Sequence, residues 1–425
     1  MPRRPMPRAG VLSGVVTLLI AAGSPAGAQQ PAAAPASGSP RSDASTAPAP
    51  PEVNGRYMRL VKRREWTIRA QITLHLDSNF WLGIDGNDGS RFRFDGMSMI
   101  FPVLRSSASS FWRPDTHEGT LYVANERVDT TSTLIGPYHA GAVYARYDSG
   151  PGVTQVVRLI HTHQVTSWDT IFDEREALKV PWPKGEWPDE ARSTFGAQAF
   201  VNPRQDPEPP VADLVRLWTE GKDPKSISPV LLAKWLAGKV QEHVQLIGDG
   251  VNRAYGIGGG AAVEGVELQG AAQTALLGKG STHDMACLLA AVYRAAGLPA
   301  RTVIGVDEDP ERKSREVRSW VEFCLYDEAS QTLTWVPVDI ARLRARSSRM
   351  LPLDRPWEYF GTHDELHRVA PFALHFIPPV DVRSYNSPAF YGWRQIPVNA
   401  PYVNQIIDLD VSRTIQVGAP GRQSP

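Results

Sequence analysis

Cysteine is scarce in this chain: its 425 residues include only Cys287 and Cys324. That is too few for the disulfide framework that holds small secreted folds together, so the fold must rest on a hydrophobic core. Net charge is missing too, with Lys+Arg 45 against Asp+Glu 45. This removes the general attraction that draws basic chains to nucleic acid or to anionic membrane surfaces. No apolar run reaches the ~20 residues of a membrane span. Internal repeats are also absent, which excludes solenoids and propellers.

What remains is ordinary globular material, 42% hydrophobic and 21% charged, long enough for two or three domains. Arg3, Arg4 and Arg8 precede an apolar stretch from Ala9 to Ala22, and Ala26-Gly27-Ala28 supplies small residues for cleavage. Residues 1–28 therefore have the layout of a secretory signal peptide cleaved after Ala28. The expectation is a periplasmic or secreted protein with no membrane span after cleavage. Residues 29–54 are rich in Pro, Ala and Ser and predict a disordered tether.

Residues 55–202 predict an N-terminal β-rich domain. Trp66, Ile68, Ala70, Ile72, Leu74 and Leu76 alternate with Thr67, Arg69, Gln71, Thr73 and His75, the period of a strand with one buried face. Further strands are expected at 91–94, 120–123, 142–147 and 153–165, forming an antiparallel sheet or sandwich. Asn202 to Pro210 predicts a linker. Helices follow at 211–219 and 229–246, and the glycine-rich stretch from Gly248 to Gly270 predicts a surface loop.

The most informative stretch is Gly278 to Val306. Ser281 with Asp284 forms a capping-box pattern. Met285, Leu288, Leu289, Val292 and Ala296 then recur at helical spacing, and Arg294 is the only charged residue between Met285 and Gly297, so the helix is expected to be buried on most sides. Gly297 and Pro299 end it, and Thr302 to Val306 predicts a buried strand. Strands are also expected at 316–326 and 332–338.

The residues Gly280, Asp284 and Ala286, then Arg294, Ala295, Gly297, Pro299, Ala300 and Arg301, then Trp320 and Glu322, then Trp335 and Asp339 resemble the core of the transglutaminase-like superfamily in order and spacing. The resemblance implies an α+β architecture: a papain-like core, at 211–411, preceded by the antiparallel β-rich domain, in an exported bacterial member. It also implies acyl transfer or peptide hydrolysis through an acyl-enzyme. In the family a cysteine at the helix start, a histidine on the next strand and an aspartate beyond carry that chemistry. Here those positions hold Thr282, Arg318 and Asp339.

A threonine hydroxyl is a poor nucleophile without a base, and an arginine that keeps its charge cannot be that base. The expectation is a degenerate triad in which Arg318 and Asp339 pair without catalysis and Thr282 caps backbone donors. Arg318 is also a candidate anchor for a carboxylate. The function expected is then binding of a protein, peptide or cell-envelope partner, with no cofactor and no nucleic acid. The alternative is an active acyltransferase or cysteine protease with a rewired site. His283 and Cys287, one helical turn apart, are its candidates. Asp284, Trp320 and Glu322 are adjacent positions.

Cys324 shares strand parity with Arg318, Trp320 and Glu322, the face expected to look toward the helix, so a Cys287–Cys324 disulfide is conceivable, and so are two buried inert thiols. His161 and His163 share a strand face with no third metal ligand in view. His363 and His367 frame HDEL with the glutamate misplaced for a zinc protease. Gly256 to Gly260 lacks the strand-to-helix context of a nucleotide loop.

Overall fold

The alternation beginning at Trp66 produces the strand Met58–Leu76, whose inward residues Trp66, Ile68, Ala70, Ile72 and Leu74 are fully buried. In the computed structural model the described residues are 54–76, 92–130, 132–138, 142–204, 206–253, 262–308, 316–377, 389–396 and 403–414. The expected signal peptide, the tether up to residue 53 and the Gly256–Gly260 stretch lie outside them.

Met58–Leu76 pairs antiparallel with Val156–Phe172 on one side and with Val403–Arg413 on the other. The sheet continues beyond Val156–Phe172 to Ser110–Val123 and ends at Ser106–Ser107. In the other direction it reaches Ala262–Val266 and Val251–Arg253. It thus draws strands from both sides of the 202–211 boundary expected from the sequence. The stretch expected to be a surface loop contributes two of these strands, because Val263 and Val266 are buried in the core. A smaller sheet of Gly392–Ile396, Gly96–Val103, Ala142–Ser149 and Ser132–Tyr138 packs on the first through Phe101, whose ring lies 4.7 Å from that of His161.

The expected buried helix spans Thr282–Ala295, with the full capping box between Ser281 and Asp284. Met285, Leu288, Leu289 and Val292 are completely buried. Gly297 adopts φ +85°, the left-handed conformation that lets the chain leave the helix sharply. The helix packs on an antiparallel sheet ordered Thr332–Val338, Glu316–Asp327, Ala300–Asp307, Val369–Ala373. Pro209–Trp218, Pro229–His243, Ala271–Leu277 and Ile340–Arg346 are the other main helices.

Arg294, the one charge along the helix beyond Asp284, donates from Nε to the Ala300 carbonyl and from its two terminal nitrogens to Asn202 and Gln198. Burial pulls its pKa down to about 9. Asn202, expected to open a linker, is instead a buried anchor for this guanidinium.

Candidate functional site at the mouth of the buried helix

The helix mouth is built by Asp284. One carboxylate oxygen accepts from the backbone nitrogens of Gln269 and Gly270, and the other accepts from that of Ser281. Thr282 follows the cap, half-buried, and its hydroxyl donates to the Asp249 carbonyl at 3.0 Å. In this arrangement the hydroxyl proton is directed at a carbonyl oxygen and not at a basic side chain. Among the described residues no hydrogen bond links it to Arg318 or Asp339.

Those two residues do come together. Arg318 Nε donates to Asp339 Oδ2 at 2.7 Å. Asp307 and Glu365 stand 3.3 and 3.5 Å from another guanidinium nitrogen. Asp339 is fully buried and also caps Ile340–Arg346 by accepting from Arg342 N. Burial opposes the charge on Arg318, but Asp339, Asp307 and Glu365 outweigh it and raise its pKa. With three carboxylates around it, Arg318 has no spare charge for a ligand carboxylate, so the expected anchor is not available.

Strand parity sets the geometry, and here the structure corrects the sequence reading. Consecutive residues of a strand point to opposite faces. Ser319 faces the helix, because its hydroxyl lies 2.9 Å from His283 Nδ1. Phe323 does too, its ring 5.6 Å from that of Tyr293. Arg318, Trp320, Glu322 and Cys324 therefore look the other way. Trp320 is buried among Leu104, Val303, Leu366, Val369 and Leu374, and Glu322 holds Arg301 at 2.9 Å and accepts from Ala108 N.

The same parity removes the disulfide. Cys324 packs with Ala108, Ala191 and Trp335 while Cys287 lies within the helix core, and both are free. The rewired pair is not assembled either. His283 uses Nδ1 on Ser319 and packs tilted against Phe376 with 5.2 Å between ring centres, and burial pulls its pKa down to about 4. No hydrogen bond joins it to Cys287, whose thiol is pushed well up by burial and then by Asp284.

Other sequence candidates separate as well. His363 Nε2 lies 3.1 Å from the Pro337 carbonyl, whereas His367 Nδ1 lies 2.7 Å from Asp169. Among the described residues no group of three or more His, Cys, Asp or Glu is arranged to hold a metal, and no helix is long and apolar enough to cross a membrane.

His161 and His163 belong to a hydrogen-bonded chain that sequence reading did not find. His117 Nε2 meets the Tyr147 hydroxyl at 2.9 Å, that hydroxyl meets His161 Nδ1 at 2.8 Å, and His161 Nε2 meets His163 Nδ1 at 2.9 Å. Gly119 leaves room for it, since a Cβ there would lie 2.1 Å from the Tyr147 ring. The sequence signal was the glycine inside an otherwise regular strand. Ser319, beside Arg318 in the sequence, was likewise overlooked because the resemblance directed attention to its neighbours.

Residues 237–340 match the transglutaminase-like superfamily core, which contains the helix mouth, Arg318 and Asp339. No curated protein matches the chain. A crystal structure of a candidate cysteine protease from Cytophaga hutchinsonii is similar at 13% identity with a TM-score of 0.47, over 85% of this chain and 95% of that one.

Proposed function

We propose that this chain, with its transglutaminase-like core at 237–340, is an exported, catalytically silent member that acts by binding a peptide or a cell-envelope partner. The observation that carries the reading is the state of the helix mouth: the Thr282 hydroxyl donates to the Asp249 carbonyl, and Arg318, where the resemblance places a base, faces away from the helix and is paired with Asp339. A guanidinium held by carboxylates does not accept a proton, so nothing there activates a nucleophile. Binding is supported by the surroundings of the helix mouth. Leu276 and Leu277, just before Gly278, are 67% and 50% exposed. Ile247, whose nitrogen donates to the Gly280 carbonyl, is 53% exposed. Apolar side chains exposed together beside a former active-site mouth fit a contact surface.

Purified protein supplied with a glutamine peptide and a labelled primary amine, and separately with a quenched peptide substrate, is expected to show no turnover above buffer. Turnover that disappears in a Cys287→Ser variant overturns the reading.

A further inference from the structure

A cleft of about 270 Å³ opens between the ends of two sheets, lined by Met58, Leu60, Ser106, Glu190, Leu333 and Trp335 among others. Among the described residues Thr332–Val338 is the edge strand of its sheet, paired with Glu316–Asp327 and, at its end, bridged from Val338 to Phe360, and Ser106–Ser107 is an edge of the larger sheet.

The direction of the backbone groups on the first edge follows from its neighbours. Cys324 N donates to the Pro299 carbonyl at 2.9 Å, away from Thr332–Val338, so its opposite residue Trp335 sits in a pair without mutual hydrogen bonds. The N–H and C=O of Trp335 therefore face outward, and so do those of Leu333 and Asp339 and the carbonyl of Pro337, which has no N–H. Two of these four are satisfied: the Pro337 carbonyl accepts from Gly361 N at 2.7 Å, and Asp339 N donates to the Tyr359 carbonyl at 3.0 Å. Beyond that point the cover stops, and among the described residues no hydrogen bond reaches the outward groups of Leu333 and Trp335.

Across the cleft, Trp112 N donates to the Arg105 carbonyl at 3.0 Å. The adjacent Ser106, which pairs with Phe111, therefore also turns its backbone groups away from its own sheet. The floor is apolar, with Met58 and Leu60 buried. The wall is preformed, because the Trp335 indole donates to Glu190 and carries the Arg301 guanidinium 4.0 Å above its ring.

We propose that this cleft binds an extended peptide segment, which adds as a strand to the open half of Thr332–Val338. Unpaired donors and acceptors in alternation on two sheet edges are complemented by a polypeptide backbone. The apolar floor takes alternate side chains of the segment, and Glu190, the one charged residue among the described residues that line the cleft, disfavours acidic ones. This surface is separate from the helix mouth, so turnover measured there leaves the proposal untouched.

The probe is a displayed library of random peptides selected on the full chain, with the enriched sequences then synthesised. The expected binders alternate apolar and polar residues, lack acidic side chains and avoid proline at pairing positions. N-methylation at one pairing residue, and separately Leu333→Pro, are each expected to weaken binding by about tenfold or more. Leu333→Pro removes an outward N–H and leaves the ladder to Glu316–Asp327 intact, as proline on an edge strand can. If that variant does not fold, the N-methylated peptides carry the test. Three results overturn the proposal. One is a library with no enrichment. Another is a set of binders indifferent to both changes. The third is Leu333 and Trp335 amides already protected from hydrogen exchange in the free protein, which means that the chain itself or a second copy fills the cleft.

Discussion

Lowering the pH from 7.5 to 4.5 is expected to unfold the protein, with the loss of stability beginning above the range in which carboxylates titrate. The cause is a set of buried histidines kept neutral by desolvation. That desolvation brings the pKa of His163 to about 3 and those of His283 and His363 to about 4, and it holds His161 well below its ordinary value. In the unfolded chain each titrates near the ordinary histidine value of about 6.5. Between that value and the depressed native one, the unfolded state binds more protons, so stability falls as pH falls through the window. It is retained in full only above about 6.5. Each such histidine contributes a slope of up to about 1.4 kcal/mol per pH unit. Over two units their sum is comparable to the whole stability of a typical domain, about 5–15 kcal/mol. Urea unfolding followed by tryptophan fluorescence at a series of pH values measures this directly. A stability that is flat from pH 7 to 5 is incompatible with neutral buried histidines, and His363→Asn should remove one histidine's share of the slope.

The Arg318→Met variant is expected to lose about 3–5 kcal/mol, the cost of leaving a buried charge without its partner. Asp339, fully buried, would keep only the Arg342 backbone nitrogen, and Asp307 would retain Arg342 at 3.6 Å. Combining Arg318→Met with Asp339→Asn should recover a large part of the loss, since both members of the pair are then neutral. Chemical denaturation of the wild type, both single variants and the double variant closes the cycle. Strict additivity would show that the pair is not coupled.

How legible these features were depended on whether their cause is local. The helix Thr282–Ala295 could be read in full because its cap, its apolar repeat and its terminating glycine lie within one short stretch. The pairing of Arg318 with Asp339 followed from the resemblance, which sets a base and its orienting acid at those two positions. The face they occupy did not, because Glu316–Asp327 is buried on both sides and a strand without polar alternation does not signal which side meets the helix. That ambiguity placed Cys324 beside Cys287 on paper and beside Trp335 in the fold. Val403–Arg413 completes the sheet begun at Met58, a pairing between the two ends of the described chain that no local pattern announces. The chain from His117 to His163 needed two strands of one sheet in register and a third, carrying Tyr147, from the sheet packed on it before its members could meet.

The central claim is that the helix mouth holds no activated nucleophile, and the thiols offer the most direct test. Protein treated with iodoacetamide under native conditions and examined by intact mass should remain unmodified, because both cysteines are buried and burial pushes both thiols well up in pKa. The same treatment after denaturation without reductant should add two alkyl groups, one for each free cysteine. Rapid modification of Cys287 in the native protein would contradict the account.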